Sequence, residues 1–312
     1  MSGSHGRGCY LLVPSRGPGS TYILKGGLVI TKMELFSASP SAPELPLGGF
    51  MPNDDPVQIK DVNGLGPVNA EITTTPYATG RGERYQGGFV GKRNIVLTLG
   101  YNPDWAGNQT MASLRQLLYR YLMPKTWTKM RFFTDELPVV DIEGYVESFD
   151  PNIFSQDPEV SVSIICPKPD FIEADATTQI GVVDDGSTEV VFDYIGTVST
   201  GFELMVEHTV ENPSYTGPLT VVLKSPVEPQ TFTLTSAMTV DIDKYFKMST
   251  VRNSRRVGTI ARLDGAITNL LRGMSTDSVW PEIEPGENVF SIDAAENGQK
   301  WTLAYFNRFG GL

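Results

Sequence analysis

Glu159–Ile165 reads E-V-S-V-S-I-I, which sets Val160, Val162 and Ile164 on one side of an extended chain and Ser161 and Ser163 on the other. Such alternation marks a strand with one buried and one wet face. Pro167 and Pro169 close it. Upstream, Ile95–Leu99 alternates about Val96 and Thr98, Met130–Thr134 is rich in aromatics, and Val139–Phe149 is β-branched and aromatic. These compositions suit a pleated, half-buried surface. One helix interrupts them. Within Gln109–Met123, Leu114, Leu117, Leu118 and Tyr121 recur at i, i+3, i+4 and i+7, with Asn108 as the expected N-cap and Pro124 as the stop. That apolar stripe has to lie on a sheet as core. Residues 21–172 therefore read as an α+β domain, one main helix on an antiparallel sheet.

Beyond it, Phe171–Gln179 reads as a linker, and a domain boundary is placed near residue 173. From 173 to 312 only short strands are expected: Thr188–Tyr194, Gly201–Val210, Leu219–Leu223, Thr231–Thr235, Met238–Ile242, Val257–Leu263, Val289–Asp293 and Trp301–Phe306. Turn signals such as Asp184-Asp185-Gly186 and Asn297-Gly298 separate several of them, which points to a β-sandwich of jelly-roll type. The fold class is mainly β with one main helix.

Four stretches break the pattern. Residues 1–20 carry Gly3, Gly6, Gly8, Gly17 and Gly19 among Ser and Pro and read as a flexible arm. Ser37–Pro56 holds Pro40, Pro43, Pro46, Pro52 and Pro56, which forbid regular helix or central strand and suggest a long surface loop. The glycine-rich Thr79–Gly91 reads as another loop. Asp150–Pro158, with two Asp-Pro steps, is a turn-rich connection. Long loops on a rigid scaffold commonly carry binding, so 37–56 and 79–91 are expected either to touch neighbouring molecules or to cover the sheet edge.

The chain has 312 residues, with 25 Lys+Arg against 36 Asp+Glu, a formal net charge of −11, and 40% hydrophobic residues. That suits about two folded domains, each burying its own core. The acidic balance argues against a protein that grips nucleic-acid backbones. The densest basic run, Arg252–Arg256 (RNSRR), has no aromatic interleaved and reads as a solvated strand end. Cys9 and Cys166 are too far apart in sequence to suggest a disulfide framework or a zinc cluster. The apolar run Cys9–Val13 before Pro14 is too short for a signal-peptide core, and no segment approaches 18 apolar residues, so a cytoplasmically made chain without membrane anchoring is expected.

Catalytic chemistry finds little support. The only histidines are His5, in the arm, and His208, which alternates with Val206 and Val210 as a sheet residue. No G-x-S-x-G elbow or phosphate-binding loop occurs, and glycines 80, 82, 87 and 88 do not follow G-x-G-x-x-G. Asp184, Asp185, Asp241 and Asp243 lack the EF-hand order of ligands. The expectation is no catalytic residue, no cofactor and no metal. More informative is Val279–Asp293 (VWPEIEPGENVFSID): Trp280 supplies bulk, Pro281 and Pro285 set up a turn, Gly286 takes positive φ, and Asn288 leads into a strand. This reads as a rigid corner between two strands, a structural feature.

The segment W-P-x-I-x-P-G-x-N from Trp280 to Asn288 resembles the signature of the siphovirus distal tail proteins, the Dit family. Tyr194–Val206 (YIGTVSTGFELMV) looks like that family's N-x-G-T strand-turn-strand, with Tyr194 in place of the usual Asn. Helix Leu114–Tyr121, Ile142–Pro167 and the closing Tyr305–Leu312 (YFNRFGGL) are similar to family elements in the same order. The likeness covers most of residues 25–312. It implies a virion protein at the tip of a long non-contractile bacteriophage tail. It also implies a homo-hexameric ring built by N-terminal domains, with galectin-like C-terminal domains outside. Such a ring joins the tail tube protein to the tail-associated lysin or hub protein, with the tape measure protein and receptor-binding proteins as further partners. Genomic DNA passes through the channel without specific binding. An acidic chain fits that passage, since six copies at −11 each place about −66 formal charges around the channel.

Two other classes are weighed. A jelly-roll scaffold also serves carbohydrate-binding modules, and Trp280 or Trp301 would be the side chains to stack on a sugar. A cell-wall hydrolase would need a carboxylate pair that the sequence cannot place in space.

Overall fold

The computed structural model describes residues 30–37, 44–47, 56–101, 110–152, 158–183, 187–208, 214–241, 243–294 and 299–312. The elements of the first half are β1 (Ile30–Ser37), β2 (Leu45–Leu47), β3 (Val57–Asn63), β4 (Ala70–Pro76), β5 (Glu83–Val90), β6 (Arg93–Tyr101), α1 (Met111–Leu122), β7 (Trp127–Thr134), β8 (Val140–Asn152), β9 (Glu159–Cys166) and β10 (Phe171–Glu173). The main sheet is antiparallel in the order β2-β1-β7-β8-β9-β6-β3. Alternation in β9 does what its sequence requires: Val160, Val162 and Ile164 are buried opposite Leu99, Leu97 and Ile95 of β6. Side chains of this size contribute about 1.5–3 kcal/mol each when fully buried.

Helix α1 covers that core with Leu118, Tyr121 and Leu122. Its N-cap is Thr110, not Asn108, which lies outside the described residues. The Thr110 hydroxyl accepts from the Ser113 amide and the Ser113 hydroxyl accepts from the Thr110 amide, so two otherwise orphaned donors are satisfied in one capping box. Pro124 follows, and Lys125, at φ 71, turns the chain into β7 and donates its amide to the Val146 carbonyl at 2.8 Å.

The second half comprises β11 (Thr177–Val182), β12 (Ser187–Tyr194), β13 (Phe202–His208), β14 (Ser214–Lys224), β15 (Pro229–Asp241), β16 (Lys244–Ser249), β17 (Arg256–Ala261), β18 (Ile267–Asn269), β19 (Gly286–Ala294) and β20 (Gln299–Tyr305). Two antiparallel sheets result, β11-β20-β13-β16-β17-β18 and β12-β19-β14-β15. Their inner faces share one core. Phe202 and Trp301 of the first sheet meet Phe290 of the second, at ring-centroid distances of 5.9 and 5.2 Å. This is a β-sandwich. A last strand, β21 (Arg308–Phe309), leaves it and pairs with β10 in the first sheet, carrying Phe309 into the first core.

Several sequence readings change. The Thr79–Gly91 segment is not a loop: Glu83–Val90 is a strand paired with Ala70–Pro76, because Tyr85, Phe89 and Val90 have β propensity that its glycines obscure. The Phe171–Gln179 linker contains β10 and the start of β11. Within Ser37–Pro56, Leu45–Leu47 forms a short strand at the sheet margin, where the amide hydrogen that Pro46 lacks is tolerated; residues 38–43 and 48–55 lie outside the described residues. Thr231–Thr235 and Met238–Asp241 are parts of the single strand β15, Ile242 lies outside the described residues, and β16 is a strand that the pattern does not announce. The arm 1–20, with His5 and Cys9, lies outside the described residues.

Candidate interaction surface

Among the described residues, strands β4 and β5 pair only with each other, as a ribbon inserted in sequence between β3 and β6. Cross-strand partners put Val90 and Ala70, Gly88 and Ile72, and Tyr85 and Thr74 on one face, with Phe89 and Glu71 on the other. A bulge between Thr73 and Thr74 supplies the change of register that keeps Tyr85 on the face of Ile72. The Thr74 hydroxyl donates to the Glu83 carboxylate near the tip. The ribbon gathers exposed apolar side chains in one place: Ile72 is 64%, Tyr85 65% and Phe89 61% accessible, and Tyr77 at the turn is 54%.

An isolated two-stranded hairpin in water is marginal, and its own core does not cover this one. Each strand also has an outer edge with no ladder partner among the described residues. Large apolar side chains on both faces of an open ribbon are the physical signature of a surface that another molecule covers. The charges nearby, Glu71, Arg81, Glu83 and Arg84, cancel, whereas the whole chain is at −11. The ribbon is thus a neutral, apolar projection from an acidic protein.

The corner Trp280–Asn288 is a self-contained turn. Asn288 is fully buried; its amide nitrogen donates to the carbonyls of Glu284 (2.7 Å) and Gly286 (2.8 Å), and its amide oxygen accepts from the Glu284 N–H at 3.3 Å. Gly286 sits at φ 98, a conformation that favours glycine. Pro281 and Ile283 are buried, Pro285 is exposed, and Ile283 bridges to Thr200. Trp280 lies against Phe232 at 5.2 Å, with the Arg255 guanidinium over its ring at 6.0 Å.

The basic run is consumed locally. Arg252 forms a two-pronged pair with Glu282 (3.0 and 2.8 Å), Arg255 reaches the same carboxylate at 3.0 Å, and Arg256 reaches Glu203 at 3.1 Å. The hydrogen bond from Arg252, with the nearby charges, holds the Glu282 carboxyl below its ordinary range against the opposing effect of burial.

Chemistry elsewhere is sparse. Cys166 is buried, and desolvation pushes its thiol up to about 12, far from a usable nucleophile. Among the described residues no group of three or more His, Cys, Asp or Glu could hold a metal ion; Asp184 and Asp185 lie outside them. His208 ends β13 opposite Gln299. A cleft of about 240 Å³ between the two halves is lined by Lys129, Asp141, Lys168, Asp170 and Phe306. Two of its acids are paired, Asp141 with Arg131 at 2.7 Å and Asp170 with Arg308 at 2.7 Å. Trp301 is fully buried against Phe290, and a Cβ on Gly181 would lie 2.5 Å from its ring. No face of Trp301 is open to a sugar, which removes that residue from the carbohydrate reading.

The sequence places candidate contacts in 37–56, most of which lies outside the described residues, and in 79–91; Ile72 escapes it, because E-I-T-T-T-P does not alternate as a half-buried strand does. The available signal was a β-branched run and an aromatic run flanking T-G-R-G, the pattern of a hairpin.

No helix among the described residues is long and apolar enough to cross a membrane. No protein-family model matches the sequence, and no curated protein matches it. Solved structures do match. The SPP1 Dit protein, a paradigm of the hub adsorption apparatus in phages that infect Gram-positive bacteria, is similar with a TM-score of 0.55 at 12% identity, over 81% of this chain and 93% of that one. A chain of the phage P2 baseplate in its activated conformation with Ca aligns with a TM-score of 0.40 at 10% identity, over 88% of this chain and 97% of that one. The chain has the fold of the SPP1 Dit protein.

Proposed function

We propose that this protein is a structural component of a phage tail tip, a hub that six copies form as a closed ring. The observation that carries the reading is the fold shared with SPP1 Dit across both halves of the chain. The ribbon β4–β5, which joins no other sheet among the described residues, supports it, because a ring of identical subunits needs a surface on each copy that the next one covers. The occupant assigned to the ribbon is a second copy of this chain: a neutral, apolar projection can approach a body that otherwise repels its own kind. Ring closure by one heterologous contact then consumes every ribbon.

In this reading the first half lines the ring and the sandwich stands outside it. The ring joins the tail tube protein to the tail-associated lysin or hub protein, with the tape measure protein inside and receptor-binding proteins at the periphery. The six-fold sum of about −66 formal charges lets genomic DNA pass without adhering. The protein performs no catalysis; its work is to hold neighbours in register. Antibodies to the purified chain, applied to phage particles and viewed by electron microscopy, test this. Label at the tail tip is expected; label on the capsid, or on no particle, overturns it.

A further inference from the structure

We propose that the segment Asn307–Leu312, which follows every strand of the sandwich, acts as a latch that fixes the base of the β4–β5 ribbon and so makes the interaction surface depend on a completed second half. The inference rests on the reading of that ribbon as an interaction surface.

The latch is held from both sides. On the sandwich side, the Tyr194 hydroxyl accepts from the Arg308 amide at 2.9 Å, the Arg308 carbonyl accepts from the amides of Thr197 and Val198, and the Thr197 hydroxyl accepts from the Gly310 amide. On the other side, Phe309 is buried in the first core, Arg308 pairs with Asp170, and the Asn307 carbonyl accepts from Glu173. The contacts then reach the turn that leads into β4. The Arg93 guanidinium donates to the carbonyls of Gly64, Gly66, Pro169 and Gly310, each at 2.6 Å, while the Leu312 amide donates to the Leu65 carbonyl at 3.0 Å. Gly311 lies so close to this turn that a Cβ there would be 2.8 Å from the Pro67 nitrogen. Residues 64–67 are therefore clasped between Arg93 and the latch.

The order of synthesis gives this a consequence. Domains fold as units with the N-terminal one first, yet here the turn beneath the ribbon gains its last partners only after the sandwich strands have been made. A half-made chain carries a ribbon with an unfastened base.

Hydrogen exchange on the full chain tests the latch through two variants. Gly311→Ala pushes the latch off residues 66–67, and Arg93→Met removes the clasp, including its bond to Gly310, while leaving the latch's bonds to Tyr194 and Thr197 in place. Exchange of amides in 64–76 is expected to rise at least tenfold in both, with β13 and β20 unchanged, and oligomer formation to weaken. If Arg93→Met fails to fold, Gly311→Ala alone decides. Unchanged exchange at 64–76 in a folded Gly311→Ala protein, or a rise confined to the sandwich, overturns the latch. If exchange rises as expected in variants while the unmodified chain never self-associates, the latch stands and the ring reading falls.

Discussion

Arg93 and Gly310 are joined by a 2.6 Å hydrogen bond across 217 positions of sequence. The guanidinium is buried, lies over the Phe171 ring at 4.6 Å, and spends its donors on main-chain carbonyls of three separate segments. Arginine suits this role because its planar fork presents several donors in fixed directions and keeps its charge despite desolvation, which lowers its pKa here.

Replacing Arg93 by Lys keeps the charge but supplies a compact point donor that cannot span the same carbonyls. Buried carbonyls left unpaired cost about 1–3 kcal/mol each. Arg93→Lys is expected to lower stability by about 3 kcal/mol, read as a reduced midpoint in chemical denaturation with the first half melting earlier.

Asn288 holds the corner of the sandwich through three hydrogen bonds to Glu284 and Gly286. Asn288→Ala removes all three within a buried site, and about 2 kcal/mol of stability is expected to go with them. Gly286→Ala, forced to φ 98, should cost about 1 kcal/mol through strain alone. Thermal unfolding followed by tryptophan fluorescence reads both, since Trp280 and Trp301 lie in this half.

Acid should loosen the same corner. The Glu282 carboxyl is held below its ordinary range by Arg252 and Arg255, so its folded pKa lies under the unfolded one. Its contribution is complete above the unfolded pKa and disappears as pH falls through the folded value. Glu284 runs the other way, raised by burial and then by Glu282. In Glu282→Gln the acid-side fall of the sandwich's stability is expected to flatten relative to the unmodified chain, as measured by denaturation between neutral pH and pH 3.

Much of this architecture is legible in the sequence. Val160, Val162 and Ile164 alternate because one face of β9 is dry, and Leu114, Leu118 and Tyr121 fall on one side of α1 for the same reason. Periodicity reports what is half-buried. It is silent on β4 and β5, exposed on both faces, and on β10 and β21, too short for a period to develop. The return of Phe309 to the first core is a long-range pairing that no local pattern encodes. Gly286 and Asn288 were readable as a turn because a positive φ and a side-chain cap are local requirements.

Ribbon side chains touch little of their own protein, so changing them should leave the subunit standing. Ile72→Ser, Tyr85→Ser and Phe89→Ser are each expected to alter unfolding by less than about 0.5 kcal/mol. The triple variant should remain monomeric at concentrations where the unmodified chain assembles, a difference read by analytical ultracentrifugation.

The mass of the purified, unmodified protein in solution bears most directly on the claim that it is an assembling hub. Six times 34.2 kDa is about 205 kDa. Mass photometry is expected to find a population at that value that images as a six-fold annulus. A protein that stays at 34.2 kDa across the accessible concentration range, or that closes into a ring of another order, contradicts the account.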